Sequence, residues 1–177
     1  GLTPLKLNAV VVRGYNEEDT VELARLTLDH SWQVRFIEMM PFAGATDLQV
    51  GQRVTEAEIK GHIEQVFGPL EIRNGGELDG EARLFHVPEA QGDIGFISSV
   101  TVPFCASCAR ARLTSDGILR TCLLREHEID LLTPLRGGAS LEDLRNIVVE
   151  ALWEKPWGHG LAEGEIPLNR GMSEIGG

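Results

Sequence analysis

KLNAVVVR at Lys6–Arg13 and QVRFIE at Gln33–Glu38, with EEDTVELARLTLDH at Glu17–His30 between them, decide the fold. The first run is β-branched and largely apolar, which suits a strand buried on both faces of an α/β sheet. Gly14-Tyr15-Asn16 breaks it. In the middle stretch Val21, Ala24 and Leu28, with Leu23 and Leu26 beside them, make a helical stripe, and Glu17, Glu18 and Asp19 suit the positive end of that helix. Strand, helix, strand at this spacing is a βαβ unit. Its second strand runs out at Met39-Met40-Pro41-Phe42, and ligands of parallel α/β folds gather where strands end. Met39 to Gly44 is therefore a candidate site, although on composition alone two methionines are more often core fillers.

Further along, Thr55-Glu56-Ala57-Glu58 has capping-box spacing and opens a helix to about Phe67, stopped by Gly68-Pro69. Glycine-rich Asn74–Gly80 reads as a loop, and strands follow near Arg83–Val87 and Ile94–Thr101. Because β/α alternation gives way here to a strand-rich stretch, a second unit, 71–177, is expected after a first one of 1–70. It should hold a short helix near Glu126–Leu132 and a longer one from Leu141 to about Trp153, N-capped by Ser140 and ended by Pro156. Residues 158–177 contain six glycines and no periodicity, which predicts an extended or mobile tail.

Composition narrows the function classes. No run approaches the roughly 18 apolar residues of a membrane helix, and no signal-peptide pattern opens the chain, so a cytoplasmic protein without a membrane partner is expected. A formal charge of −11 over 177 residues argues against a nucleic-acid surface, which needs clustered Lys and Arg. A small anion held by a few arginines remains compatible with it. There is no initiator Met, and a strand begins almost at once, as in a chain cut from a longer one.

Chemistry concentrates in one hairpin, PFCASCARARLTSDGILRTC at Pro103–Cys122. Cys105 and Cys108 form a Cys-x₂-Cys turn, and Asp116-Gly117 is a hairpin signal that folds Leu119–Cys122 back toward them. Three thiolates satisfy three irons of a [4Fe–4S] cluster and leave one open for a substrate. Zinc is the competitor, since His127 could complete a Cys₃His set. Spacing alone leaves the two evenly matched. Arg110 and Arg112 project to one face if the segment is extended, and paired guanidinium groups bind phosphates bidentately. A solvated strand edge is the plain alternative, made weaker by the adjacent cysteines.

Taken together, Leu5-Lys6-Leu7-Asn8 with Gly14-Tyr15-Asn16, Arg35–Pro41 (RFIEMMP), Gly95–Val100 (GFISSV) followed by Cys-x₂-Cys-x₁₃-Cys, Lys155-Pro156-Trp157, and the terminal Met172–Gly177 (MSEIGG) form a specific set. With them the chain resembles, over essentially its whole length, the GTP 3′,8-cyclase family of radical S-adenosylmethionine enzymes, which act in molybdenum cofactor biosynthesis. The resemblance implies the C-terminal part of an incomplete, TIM-like (β/α)₆ barrel followed by a smaller α+β cluster-binding domain. It implies an enzyme in which an N-terminal cluster, bound by Cys-x₃-Cys-x₂-Cys, cleaves S-adenosylmethionine to a radical that takes hydrogen from C3′ of GTP. Bonding of that carbon to C8 then gives (8S)-3′,8-cyclo-7,8-dihydroguanosine 5′-triphosphate. The second cluster binds the guanine through its open iron.

Matched to the family's motifs, Cys105, Cys108 and Cys122 fall on the second-cluster ligands, and Lys6, Arg110, Ala111 and Arg112 on GTP-binding positions. Met40 falls on a contact to S-adenosylmethionine, and Gly176-Gly177 on a catalytic C-terminal diglycine. A homodimer and hand-over of product to a cyclic pyranopterin monophosphate synthase are implied for the intact enzyme. Two positions depart from the pattern: Ala109 stands where Asn is usual, and no Cys-x₃-Cys-x₂-Cys occurs in the 177 residues. S-adenosylmethionine and the first cluster are thus expected only in the full-length enzyme. The piece alone is expected to be inactive and, with open sheet edges, to be poorly stable or to self-associate.

Overall fold

A computed structural model describes residues 4–41, 51–163, 166–167 and 169–175. The chain is mixed α/β and divides into two compact units, Gly1–Met40 with Asp47–Phe104, and Pro41–Thr46 with Cys105–Gly177.

The first unit is built on the expected βαβ. Strand β1 (Lys6–Val11) lies parallel to β2 (Gln33–Glu38), and helix α1 (Thr20–Asp29) connects them. The acidic triplet Glu17–Asp19 forms a 3₁₀ turn ahead of α1 rather than its first turn. Helix α2 (Glu56–Phe67) carries the anticipated capping box: the Thr55 hydroxyl accepts from the Glu58 amide, and the Glu58 carboxylate accepts from the Thr55 amide. Gly68, at φ +81°, ends it.

Strands β3 (Glu71–Ile72), β4 (Leu78–Asp79), β5 (Ala82–His86) and β6 (Asp93–Ile97) complete the sheet. Its order is β1-β2-β6-β5-β3, with β4 also on β5. β6 pairs parallel with β2, whereas β3, β4 and β5 make antiparallel pairs. Residues 71–104 belong to the first unit, where β6 hydrogen-bonds directly to β2, and the longer segment of the second unit starts at Cys105.

One face of this sheet packs against the helices. Val11, Val34, Phe36, Phe85, Val87, Ile94 and Phe96 form a core with Ala24 of α1 and Ile59 and Ile63 of α2. Alternation then turns Lys6, Asn8 and Val10 of β1 to the opposite face, where all three are exposed. On that face Ile37 and Phe104 pack on a smaller cluster of Ala82, Leu84 and Ile97.

The second unit contains a three-stranded sheet in the order β7-β8-β9, from β7 (Arg112–Leu113), β8 (Ile118–Arg120) and β9 (Ile129–Asp130), all antiparallel. Helices α3 (Leu132–Arg136) and α4 (Leu141–Trp153) follow, α4 with a Ser140/Asp143 capping box. The helix expected at Glu126–Leu132 is corrected. Ile129 pairs with Leu119 as a strand, and the helix starts at Leu132.

The tail departs from expectation as well. Arg170 bridges Asp116 and Glu128, and Ile175, in a 3₁₀ turn, is 1% exposed, so the described residues there are tied down. Among the described residues no helix is long and apolar enough to cross a membrane.

Candidate functional site

On the first unit the face of the sheet opposite the helices carries a charge cluster. Asp79 of β4 accepts from Lys6 Nζ at 3.0 Å, Gln33 Nε2 at 3.0 Å and Arg35 Nη2 at 2.9 Å. The bond from Gln33 is the main reason its carboxyl sits below the usual carboxylate range, with the bond from Lys6 next. Arg35 lies across β6 only because residue 95 is glycine: a Cβ there would stand 2.9 Å from Arg35 Cγ. Lys6, the expected GTP contact, is thus a cation on an open sheet face, ion-paired within its own unit.

Met40, expected near S-adenosylmethionine, is half-buried just past the end of β2. Lys6 pairs with Gln33 at the opposite end of the same strand. Roughly 20 Å of strand, at about 3.3 Å per residue, separates the two positions. Between Arg35 and Met40, Glu38 has a role that its identity alone did not suggest. It is 2% exposed, and its Oε2 accepts from the amides of Val100 at 3.0 Å and Thr101 at 2.8 Å, which fixes the loop leading to Phe104. Its Oε1 is buried and has no hydrogen-bond partner among the described residues.

On the second unit the cysteine hairpin forms as the Asp116-Gly117 signal requires. Arg112 pairs with Arg120 and Leu113 with Leu119, and the turn closes through Thr114 N to Ile118 O at 2.9 Å and Gly117 N to Thr114 O at 3.0 Å. Gly117 takes φ +79°, which a side chain would strain. Cys105 opens a 3₁₀ turn, and the Cys108 amide donates to the Cys105 carbonyl at 3.2 Å. Cys122 stands two residues past the end of β8.

All three thiols are unpaired and half-buried. Burial pushes the Cys122 thiol up, a bond from the Leu124 amide opposes this, and the neighbouring Cys105 and Cys108 push it up further. Among the described residues no group of three or more His, Cys, Asp and Glu side chains is arranged to hold a metal ion. His127, the expected fourth zinc ligand, is exposed. Three free thiols fit a [4Fe–4S] cluster in donor type and number.

Behind the hairpin stands a polar scaffold that the residue types alone did not reveal. Arg120 is buried, pairs with Glu128 and donates to the Arg125 carbonyl at 2.6 Å. Arg170 holds the Asp116 carboxyl down to about 2, with help from Thr114. Lys155, quoted above only as part of a motif, donates from Nζ to the carbonyls of Cys108 and Arg110, each at 2.7 Å. Arg110 and Ala111 are exposed and Arg112 half-buried. Gly176 and Gly177 lie outside the described residues.

A mixed α/β chain whose second unit presents three free thiols on a braced hairpin defines the class. Residues 32–161 match the family described as Molybdenum Cofactor Synthesis C, and the chain belongs to that family. Among curated relatives, the GTP 3′,8-cyclase of Pelotomaculum thermopropionicum is 41% identical over all of this chain and 54% of its own length. That of Desulforamulus reducens is 42% identical over 99% of this chain and 54% of its own. The Gloeobacter violaceus protein of the same name is 45% identical over 88% of this chain and 48% of its own. The chain spans about half the length of the curated relatives it matches.

Proposed function

We propose that this chain is the substrate-binding, cluster-bearing part of a GTP 3′,8-cyclase, and that its first unit is the closing section of an incomplete (β/α)₆ barrel. The observation that carries the proposal is the set of three free, half-buried thiols on the Cys105–Cys122 segment. Cys105, Cys108 and Cys122 would hold a [4Fe–4S] cluster. When bound, it supplies an iron with an open coordination position for a guanine donor.

The chain's own residues do the rest. Arg110 and Arg112, beside the thiols, take the triphosphate with the Ala111 backbone between them. Lys6 adds a cation on the open sheet face, in exchange for its contact to Asp79. Met40 marks the strand end where S-adenosylmethionine binds. Gly176-Gly177 is the catalytic tail.

The 177 residues contain no Cys-x₃-Cys-x₂-Cys. S-adenosylmethionine cleavage therefore belongs to a portion of the enzyme that lies outside them, and the piece alone does not turn over. The intact enzyme is a cytoplasmic homodimer that hands its product to the next enzyme of molybdenum cofactor synthesis. The test is a GTP titration of the anaerobically reconstituted chain, followed by the cluster's electronic spectrum. Saturable perturbation is expected, weakened at least tenfold in the Arg110→Ala/Arg112→Ala variant, about 1.4 kcal/mol. Unchanged affinity in that variant removes both arginines from the site.

A further inference from the structure

Lys155 directs every donor it has at one loop. Its Nζ donates to the carbonyl oxygens of Cys108 and Arg110, at 2.7 Å each, and stands 3.5 Å from Cys108 Sγ. An ammonium has three N–H donors and no acceptor, so this set exhausts it. Its position is built rather than incidental. Lys155 follows α4, its own amide donates to the Leu152 carbonyl at 3.3 Å, and Pro156 stiffens the next backbone step.

The same turn also reaches the other arm of the hairpin. The Gly158 carbonyl accepts from Arg125 Nε at 3.0 Å, and the Arg125 carbonyl accepts from Arg120, two residues before Cys122. Residues 155–158 therefore grip the Cys105–Cys108 arm at one end and the Cys122 arm at the other. Such a clasp answers two needs of a thiolate triad. It ties down the backbone of the Cys108 loop, and it places one positive charge and one N–H donor against a ligand sulfur. Hydrogen bonds and charge at ligand sulfurs set the potential of an iron–sulfur centre.

We propose that Lys155 is the positioning residue of the thiol set, pinning the Cys108 loop in ligand geometry and raising the cluster's reduction potential through its N–H to Cys108 Sγ. The inference rests on the cluster reading above. The exposed Lys and Arg side chains of an ordinary charged surface would bind water instead. Lys155 is half-buried and has two backbone carbonyls where water would be.

The test uses the 177-residue chain, its Lys155→Met and Lys155→Arg variants, anaerobic reconstitution with iron and sulfide, iron content, and a redox titration followed by paramagnetic resonance. Lys155→Met keeps the stem and removes charge and donors. Its midpoint should fall by at least a tenfold change in the one-electron equilibrium, about 59 mV, and Lys155→Arg should recover more than half of the shift. If Lys155→Met loses the cluster with its circular dichroism unchanged while Lys155→Arg keeps it, the positioning role is upheld. A Met variant with wild-type iron and an unshifted midpoint overturns the proposal. So does loss of the cluster from both variants with secondary structure intact, because cation and donors are then not what acts. A wild-type chain that takes up no iron overturns the cluster reading itself, and this inference with it.

Discussion

Gly117→Ala should unlatch the cysteine hairpin, for two separable reasons. Gly117 sits at φ +79°, where an L side chain costs about 1–2 kcal/mol. A Cβ built there would also stand 2.6 Å from Leu132 Cβ and 3.4 Å from its Cα, an overlap that neighbouring α3 would have to relieve at about 1–3 kcal/mol. The two together amount to roughly 2–5 kcal/mol, so the opening equilibrium of the turn rises by at least about thirtyfold. Hydrogen exchange at Thr114, Gly117 and Leu131 reads this directly, because those amides donate to Ile118, Thr114 and Gly117 respectively. Gly117→Asn relieves part of the backbone strain but keeps the overlap, since Asn tolerates left-handed φ. Leu132→Gly, which removes the Cβ that the new methyl meets, should recover about 1 kcal/mol or more as coupling in the Gly117→Ala background. Protection in Gly117→Ala within about twofold of wild type would refute the account of the turn.

Ile63→Ala in α2, at a side chain with 0% exposure against the sheet, should cost about 2–5 kcal/mol in denaturant unfolding of the first unit. The Glu58 carboxyl is held near 2, from 4.5, by the Thr55 amide, the Thr55 hydroxyl and Arg13. Its folded value is depressed, so its contribution is full above about pH 4.5 and lost as pH falls toward about 2. Thermal melts between those limits should show an acid loss for wild type that is smaller in Glu58→Gln; parallel curves would dismiss the assignment.

Local chemistry was legible from the sequence. Thr55/Glu58 marks a helix start because a capping box depends on two side chains three residues apart, Ser140 marks another as a lone N-cap, and Asp116-Gly117 marks a turn because positive φ demands glycine. What escaped depends on partners far along the chain. Nothing in Asp93–Ile97 announces pairing with β2, which is what keeps residues 71–104 in the first unit. Ile129-Asp130 is too short for a period to register. Glycine content suggested a loose tail, yet Arg170 and Ile175 anchor it, through charges on Asp116 and Glu128 and through burial. Lys155 has no legible role in the sequence, because its bonds run to backbone carbonyls 45 and 47 residues away, which no pattern of residue types encodes. Asp79 was passed over inside a loop for the same reason.

The central claim is that Cys105, Cys108 and Cys122 hold a cluster with one open iron. Iron and acid-labile sulfide per chain after anaerobic reconstitution, compared with the Cys122→Ser variant, test it most directly. The account predicts about four of each per wild-type chain, with loss of most of both in the variant. One tightly held zinc per colourless chain, or iron uptake indifferent to Cys122, would contradict it.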